Sequence, residues 1–267
     1  MNLFRFWSRQ AAEIQVGDAR QTIHCYGGSN QSPEAAAEQA RAQIAAIEQR
    51  IAGQPSREAD YEAAIREEIL EELDAHNLVS RNRYGARVLN SENLMFIDID
   101  NAEAGLLDWL FGRASPEKRR AKQLARIEKQ AAAPVCAGLS LRIYQTSNGW
   151  RLIVQGQPLG PRDAITRKLF RHFHADGLYA LLCDKQNCFR ARLTPKPSRI
   201  RCKGHKVVYP RDDAQQQALE AWLASYEAAA QGCAVCRYVK TLGPELDNPL
   251  VAYHDRETRA HSDLKLA

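Results

Sequence analysis

Residues 94–100 read LMFIDID, an apolar run that ends in two aspartates separated by one isoleucine. The consecutive apolar residues predict a strand that is covered on both faces. Side chains two positions apart in a strand project to the same side, so we expect Asp98 and Asp100 to point together. The chain is therefore expected to fold around a buried strand with a pair of carboxylates at its end.

Two carboxylates held this close repel each other unless a cation lies between them. Oxygen ligands of this kind suit Mg²⁺ or Mn²⁺, and two such ions can stabilise the attacking and leaving oxygens of nucleotidyl transfer. The alternative is that Asp98 and Asp100 cap a helix that begins near Ala102. Both interpretations stay open from the residues alone.

The segments around this strand predict an α+β fold with an antiparallel, RRM-like (palm-type) sheet that carries helices on one face. Further strands are expected over residues 78–84, 87–89, 139–146, 150–155 and 178–183, with a last short strand over 250–255. Helices are expected over residues 103–133 (interrupted near 112–116), 161–175 and 214–238. Together these elements predict a palm-like core over residues 77–267.

Residues 1–76 are expected to form an accessory layer of a hairpin and two helices. Alternation over residues 12–26 predicts the hairpin, followed by a turn-like Gly-Gly-Ser-Asn at 27–30. Ser32 and Pro33 are typical of a helix start, which predicts a helix over 34–52. A second, acidic helix is expected over 57–75.

The composition favours a globular, cytoplasmic protein. Of the 267 residues, 45% are hydrophobic and 26% charged, and the net charge of +5 allows an anionic partner without identifying one. No apolar run is long enough to cross a bilayer, and an arginine breaks the N-terminal apolar stretch, so neither a membrane partner nor a secretory signal is expected.

A basic segment follows the predicted strands. Residues 188–203 read CFRARLTPKPSRIRCK, in which Arg190 and Arg192 alternate along a strand and would share one face. Basic side chains on a loop fixed by prolines suit contact with phosphates. The alternative is a surface basic loop without a function. Arg81 and Arg83 form a smaller basic group.

The predicted turn between residues 146 and 150 is a second place for a phosphate. Ser147 and Asn148 precede a glycine there, and backbone N–H groups together with Arg151 could face an anion. The alternative is an ordinary hairpin with Arg151 in solvent.

The cysteines raise the question of zinc. Four residues have the ligand number of a structural site: Cys183, Cys188, Cys202 and His205. The first gap is loose for such a site. We expect buried, reduced cysteines in preference to structural zinc.

The blocks RNRYGA (81–86), LMFIDID (94–100) and CFRARLTPKP (188–197) resemble those of an uncharacterised family of bacterial proteins. More remotely, the order of motifs resembles the archaeo-eukaryotic primase superfamily, whose aspartate-x-aspartate after an apolar strand matches Asp98 and Asp100. The resemblance implies a further aspartate, for which Asp184 is the candidate. Arg151 stands where the superfamily's second motif leads to a histidine.

These features give a first hypothesis, a metal-dependent enzyme of nucleotidyltransferase type acting on nucleotides or nucleic acid. Its catalytic residues would be Asp98, Asp100 and Asp184. Its phosphate-binding residues would be Arg81, Arg83, Ser147, Asn148, Arg151, Arg190, Arg192, Lys196 and Arg199. The second hypothesis is a non-catalytic nucleic-acid or nucleotide-binding protein, and the third is a protein-interaction module that uses the acidic helix 57–75 and the basic loop 190–206.

Overall fold

The computed structural model describes residues 1–53, 64–101 and 115–267, and these form an α+β structure with antiparallel sheets. The strands are β1 Phe6–Val16, β2 Ala19–Ser29, β3 Glu68–Glu72, β4 Asn77–Arg81, β5 Arg87–Ser91, β6 Met95–Asp100, β7 Ser140–Thr146, β8 Gly149–Gln155, β9 Phe189–Arg192, β10 Cys233–Ala234, β11 Cys236–Leu242 and β12 Lys265–Leu266. The α-helices are α1 Pro33–Ile51, α2 Pro116–Ala131, α3 Ala164–His172, α4 Gly177–Gln186, α5 Asp213–Ala230 and α6 Pro249–Thr258. Short 3₁₀ turns lie at Pro134–Cys136 and Pro197–Ile200.

Two four-stranded antiparallel sheets make up the core. One has the order β11-β7-β8-β6 and the other the order β3-β4-β5-β9. Arg151 of β8 links them, because its Nη1 donates to the carbonyl oxygen of Arg192 at the end of β9, at 3.1 Å. The edge strands β6 and β9 therefore lie at the junction of the two sheets.

Strand β6 is as deeply buried as its sequence predicts. Met95, Phe96 and Ile97 are fully buried. Tyr179 of α4 donates its hydroxyl to the Phe96 carbonyl oxygen at 3.2 Å, and Gln123 of α2 donates its side-chain amide to the Asp100 carbonyl oxygen at 2.8 Å. Two helices thus hold the strand that carries the aspartates.

Several predicted elements are confirmed. Ser32 caps α1 by accepting a hydrogen bond from the Ala35 amide at 3.1 Å. The hairpin of β7 and β8, helix α3 within 161–175 and helix α2 within the second part of 103–133 are also present. The residues 102–114, which include the predicted helix start near Ala102 and most of the interruption over 112–116, lie outside the described part of the chain.

The predicted strand over 178–183 is wrong, and so is the last strand over 250–255. Both segments are helical, as α4 and α6. Asp176 caps α4 by accepting from the Leu178 amide at 2.8 Å, and Asn248 caps α6 by accepting from the Leu250 amide at 2.9 Å. A short apolar run fits a buried strand or a helix equally well, and in each case the cap decides.

Two predicted helices are partly wrong. Of the acidic helix 57–75, residues 57–63 lie outside the described residues and none of the residues 64–75 is helical. Glu68–Glu72 is instead a strand paired with β4 across the predicted domain boundary at 76 and 77. The helix over 214–238 ends at Ala230, after which β10 and β11 follow. In both segments strand pairing formed in the tertiary structure overrides the local helix preference.

The N-terminal hairpin is confirmed, with β1 paired to β2 along its whole length. The expected turn at 27–30 is wrong for Gly27, Gly28 and Ser29, which belong to β2. A Cβ on Gly27 would lie 2.0 Å from the carbonyl oxygen of Ala36 in α1. The glycine is needed for close packing of strand on helix, not for a turn. No helix among the described residues is long and apolar enough to cross a membrane.

Candidate functional site

The Asp98 carboxylate forms an ion pair with Arg151. The two residues face each other across β6 and β8, and Asp98 Oδ1 accepts from Arg151 Nε at 2.9 Å while Oδ2 accepts from Nη2 at 3.4 Å. The Arg151 side chain is only 3% exposed. Burial alone would lower the pKa of Arg151, but the neighbouring Asp98 carboxylate outweighs it and the pKa is raised. Arg151 therefore neutralises Asp98 and, contrary to one of the sequence alternatives, does not lie in solvent.

A buried histidine contacts the Arg151 side of this ion pair. His254 of α6 is fully buried, and its Nε2 lies 3.4 Å from Arg151 Nη1 while its Nδ1 lies 3.0 Å from Asp255 Oδ1. Because the Arg151 guanidinium can only donate and the Asp255 carboxylate can only accept, the neutral ring donates from Nδ1 and accepts at Nε2. Burial lowers the pKa of His254, and Arg151 adds to this although Asp255 opposes it. His254 and Asp255 thus orient Arg151.

The predicted carboxylate pair does not by itself complete a metal site. Asp100 is exposed, but both oxygens of Asp98 accept hydrogen bonds from Arg151. Among the described residues, no group of three or more His, Cys, Asp or Glu side chains is placed to hold a metal ion. A Mg²⁺ or Mn²⁺ site would need ligands that these residues do not supply, so it stays a proposal.

Asp184 is placed away from the pair. It lies in α4, where its carboxylate pairs with Arg167 at 2.6 Å. The other end of this helix is the one that contacts β6, because the Asp176 amide donates to the Asp98 carbonyl oxygen at 3.0 Å. Asp184 lies eight positions after Asp176 along the helix, which corresponds to about 12 Å. The structure therefore does not bring Asp184 together with Asp98 and Asp100.

Three basic side chains form what we call the cationic cluster: Arg192, Lys196 and Arg199. Burial lowers the pKa of Arg192 to about 10, with further lowering from Arg151 and Arg199 that Asp98 partly opposes. The pKa of Lys196 is lowered first by Arg192, then by burial and by Arg199. None of the three side chains forms a hydrogen bond or ion pair with any residue that the structure describes.

The other predicted phosphate ligands have internal partners. Arg190 pairs with the buried Glu67 at 2.6 Å, and Arg81 Nη1 donates to the Gly85 carbonyl oxygen at 3.1 Å. Arg83 donates to the Tyr84 hydroxyl. Arg190 is therefore paired inside the fold. Arg192, on the same strand, has no such partner among the described residues.

Ser147 and Asn148 form the turn between β7 and β8, close to the end of β6. The Asn148 carbonyl oxygen accepts from the Asn101 amide at 3.0 Å, and the buried Ser147 hydroxyl has no hydrogen-bond partner within the described residues. The turn therefore borders Asp100, as the pairing of Asp100 with Gly149 requires.

Aromatic residues of α5 fix the loop that carries the cationic cluster. The Tyr226 hydroxyl lies 2.8 Å from Thr194 Oγ1 and donates to the Pro195 carbonyl oxygen at 2.6 Å, and the Trp222 indole donates to the Lys203 carbonyl oxygen at 2.7 Å. Sequence reasoning missed this support, as it missed His254 and Asp255. The capping sequence Asp212-Asp213-Ala214-Gln215 was the available signal for the start of α5.

The cysteines proposed as alternative zinc ligands are in unlike environments. Cys183 and Cys188 are buried, and burial raises the pKa of each thiol to about 12. Cys202 is partly exposed, and the His205 ring stacks on Trp222 with ring centroids 5.5 Å apart. A thiol with a raised pKa is a poor metal ligand because the thiolate is the binding form.

Comparisons of the chain with known protein families, with curated proteins and with solved structures found no match. The resemblances to a bacterial family and to the archaeo-eukaryotic primase superfamily therefore stay predictions. A function has to be argued from the geometry of the cationic cluster and its neighbours.

Proposed function

We propose that the protein binds phosphate groups of nucleotides or nucleic acid at the cationic cluster. The observation that carries this proposal is the pair Arg192 and Lys196. Arg192 lowers the pKa of Lys196, and although Asp98 and Asp100 partly offset the two charges, neither basic side chain forms a hydrogen bond or ion pair with a described residue. Such mutual repulsion is relieved when an anion binds between the cations. A phosphate suits this role because it accepts several charge-assisted hydrogen bonds at once.

The surroundings of the cluster favour an anion as well. Asp98, the acid that acts on Arg192, already has its charge balanced by the buried Arg151. Tyr226 holds the loop at Thr194 and Pro195, so little loop ordering opposes binding. Preformed cations beside an acid that is already paired support the proposal of a phosphate ligand.

The test is fluorescence anisotropy with a labelled oligonucleotide and with a labelled nucleotide. We expect the double substitution Arg192→Gln and Lys196→Gln to weaken binding by about tenfold or more, since a hydrogen bond to a charged group contributes about 1.5–3 kcal/mol. The matched control is Lys118→Gln with Lys122→Gln, which removes the same charge from exposed positions of α2. Equal losses in the two double variants would reject the cluster as the site.

Metal-dependent nucleotidyl transfer is the second candidate. Asp98 and Asp100 lie at the end of β6 beside the cluster, and Asp100 acts to raise the pKa of Lys196. The discriminating assay is nucleotide incorporation with Mn²⁺ or Mg²⁺, compared between the wild type and Asp100→Asn. Asp98 is less suitable, since its removal leaves the buried Arg151 without its carboxylate. Binding that survives EDTA without incorporation supports the first proposal, and no binding to any nucleic acid at low salt would favour a protein-interaction module.

A further inference from the structure

Tyr84 is an exposed aromatic residue in a tightly tied turn. The turn joins β4 to β5, and 47% of the Tyr84 surface is exposed. Asn82 Oδ1 accepts from the Tyr84 amide at 3.0 Å and from the Ala86 amide at 3.1 Å, and the Gly85 amide donates to the Asn82 carbonyl oxygen at 2.8 Å. These bonds fix the backbone that presents the ring.

The same end of the sheet carries the cationic cluster. The Leu193 amide donates to the Arg87 carbonyl oxygen at 2.8 Å, and the Arg87 amide donates to Thr194 Oγ1 at 2.9 Å. The turn that precedes β5 and the loop that follows β9 therefore leave the sheet side by side. Tyr84 is also close enough to Lys196 to affect the pKa of its ammonium group.

Two stacked aromatic residues of α5 pack against the turn and the cluster loop. Trp222 packs so closely on Gly85 that a Cβ there would lie 2.3 Å from the indole ring. Trp222 in turn stacks on Tyr226 with ring centroids 4.8 Å apart, and Tyr226 holds the cluster loop. The Val207 amide further donates to the Arg83 carbonyl oxygen at 3.0 Å. The turn and the cluster loop are thus braced against one helix.

We propose that Tyr84 stacks an unpaired base of a single-stranded nucleic acid whose phosphates lie on the cationic cluster. This inference rests on the proposed phosphate binding. Basic side chains beside an exposed aromatic ring are the combination that binds single strands, because every unpaired base offers a face for stacking. Bases inside a duplex are already stacked and offer no such face. The Arg83 guanidinium, 4.7 Å from the centroid of the Tyr84 ring, adds a planar cation to the same surface.

The experiment compares three ligands by anisotropy at one salt concentration: a labelled single strand of about 12 nucleotides, an abasic strand of the same length and charge, and a duplex. The variants are Tyr84→Ala and Tyr84→Phe, together with the double variant of Arg192 and Lys196. We expect Tyr84→Ala to weaken single-strand binding by roughly 5- to 150-fold, the equivalent of one lost base stack. Tyr84→Phe keeps the ring and should bind as the wild type does.

The abasic strand separates stacking from charge. It should bind the wild type and Tyr84→Ala equally, and more weakly than the normal strand binds the wild type. The inference is overturned if the abasic strand or the duplex binds as tightly as the normal strand, or if Tyr84→Ala changes nothing while the cluster variant loses binding. In that last case the proposed phosphate site still stands. If the cluster variant binds every ligand as the wild type does, the proposed site is rejected, and absence of all binding rejects both.

Discussion

His254 shows how a single side chain can allow a charge to be buried. The guanidinium of Arg151 makes contacts in three directions, with the Asp98 carboxylate, with the Arg192 carbonyl oxygen and with the neutral ring of His254. Asp255 holds the ring in the one tautomer that can accept from Arg151, and Arg142 pairs with the other oxygen of Asp255 at 2.7 Å. A buried cation is tolerated when each of its nitrogens donates to a partner in this way.

Protonation of His254 would place a second cation against Arg151, which gives the stability a defined pH dependence. The pKa of His254 is lowered by burial and by Arg151, whereas an unfolded histidine titrates at about 6.5. Below that pH the unfolded chain takes up a proton that the folded chain does not. The stability that the neutral His254 contributes is therefore fully present above about pH 6.5. It is lost as the pH falls toward the folded pKa, at up to about 1.4 kcal/mol per pH unit.

Urea unfolding at several pH values between about 5 and about 8 measures this effect. We expect His254→Gln to be less stable than the wild type at neutral pH but to lose less stability on acidification. The difference between the two chains isolates His254 from the other histidines. Parallel stability curves for the wild type and the variant would contradict the role given to His254.

Helix α5 is the element that holds the two halves of the proposed site together. It contacts the turn of Tyr84 through Trp222 and the cluster loop through Tyr226. Its start is fixed by a capping box between Asp212 and Gln215. The site therefore depends on a helix that contributes no group to the ligand.

The contact of Gly85 with Trp222 gives a prediction at this scale. Gly85 has a φ of +85°, and Gly53 has a φ of +71° with nothing within 4 Å of an added Cβ. Both alanine substitutions carry the left-handed backbone cost of about 1–2 kcal/mol, but only Gly85→Ala forces Trp222 to move, for a further cost of about 1–3 kcal/mol. Chemical denaturation should therefore show the larger loss in Gly85→Ala. Equal losses would mean that Trp222 shifts without penalty.

Local signals predicted some elements well. The apolar run of β6, the Ser32 cap of α1 and the alternation of β7 and β8 each contain their own evidence within a few residues. The pairing of Arg190 with Glu67 joins positions 123 residues apart, and that of Arg151 with His254 joins positions 103 apart. Sheet pairing and α6 bring such partners together. The sequence therefore shows where the basic residues are, but not which of them have a partner inside the fold.

At the scale of the whole molecule, the proposed site lies where two sheets meet. Strand β6, which carries Asp98 and Asp100, is an edge strand of one sheet. Strand β9, which carries Arg192, is an edge strand of the other. Arg151 spans the junction and cancels the charge of Asp98. Arg192, Lys196 and Arg199 form no ion pair with the described residues, and the nearby Asp98 is paired with Arg151, so the cluster is a local concentration of positive charge.

This concentration of charge predicts how binding depends on salt. A single strand that contacts three cations should show a slope of log K against log salt of about −2, since each contact contributes about −0.7. Removing one cation with Lys196→Gln should make the slope shallower by about 0.7, whereas Lys118→Gln on α2 should leave it unchanged. Anisotropy titrations at several salt concentrations measure the slopes. If both substitutions reduced the slope equally, the attraction would come from the general positive charge of the molecule, and the junction of the two sheets would have no special part in binding.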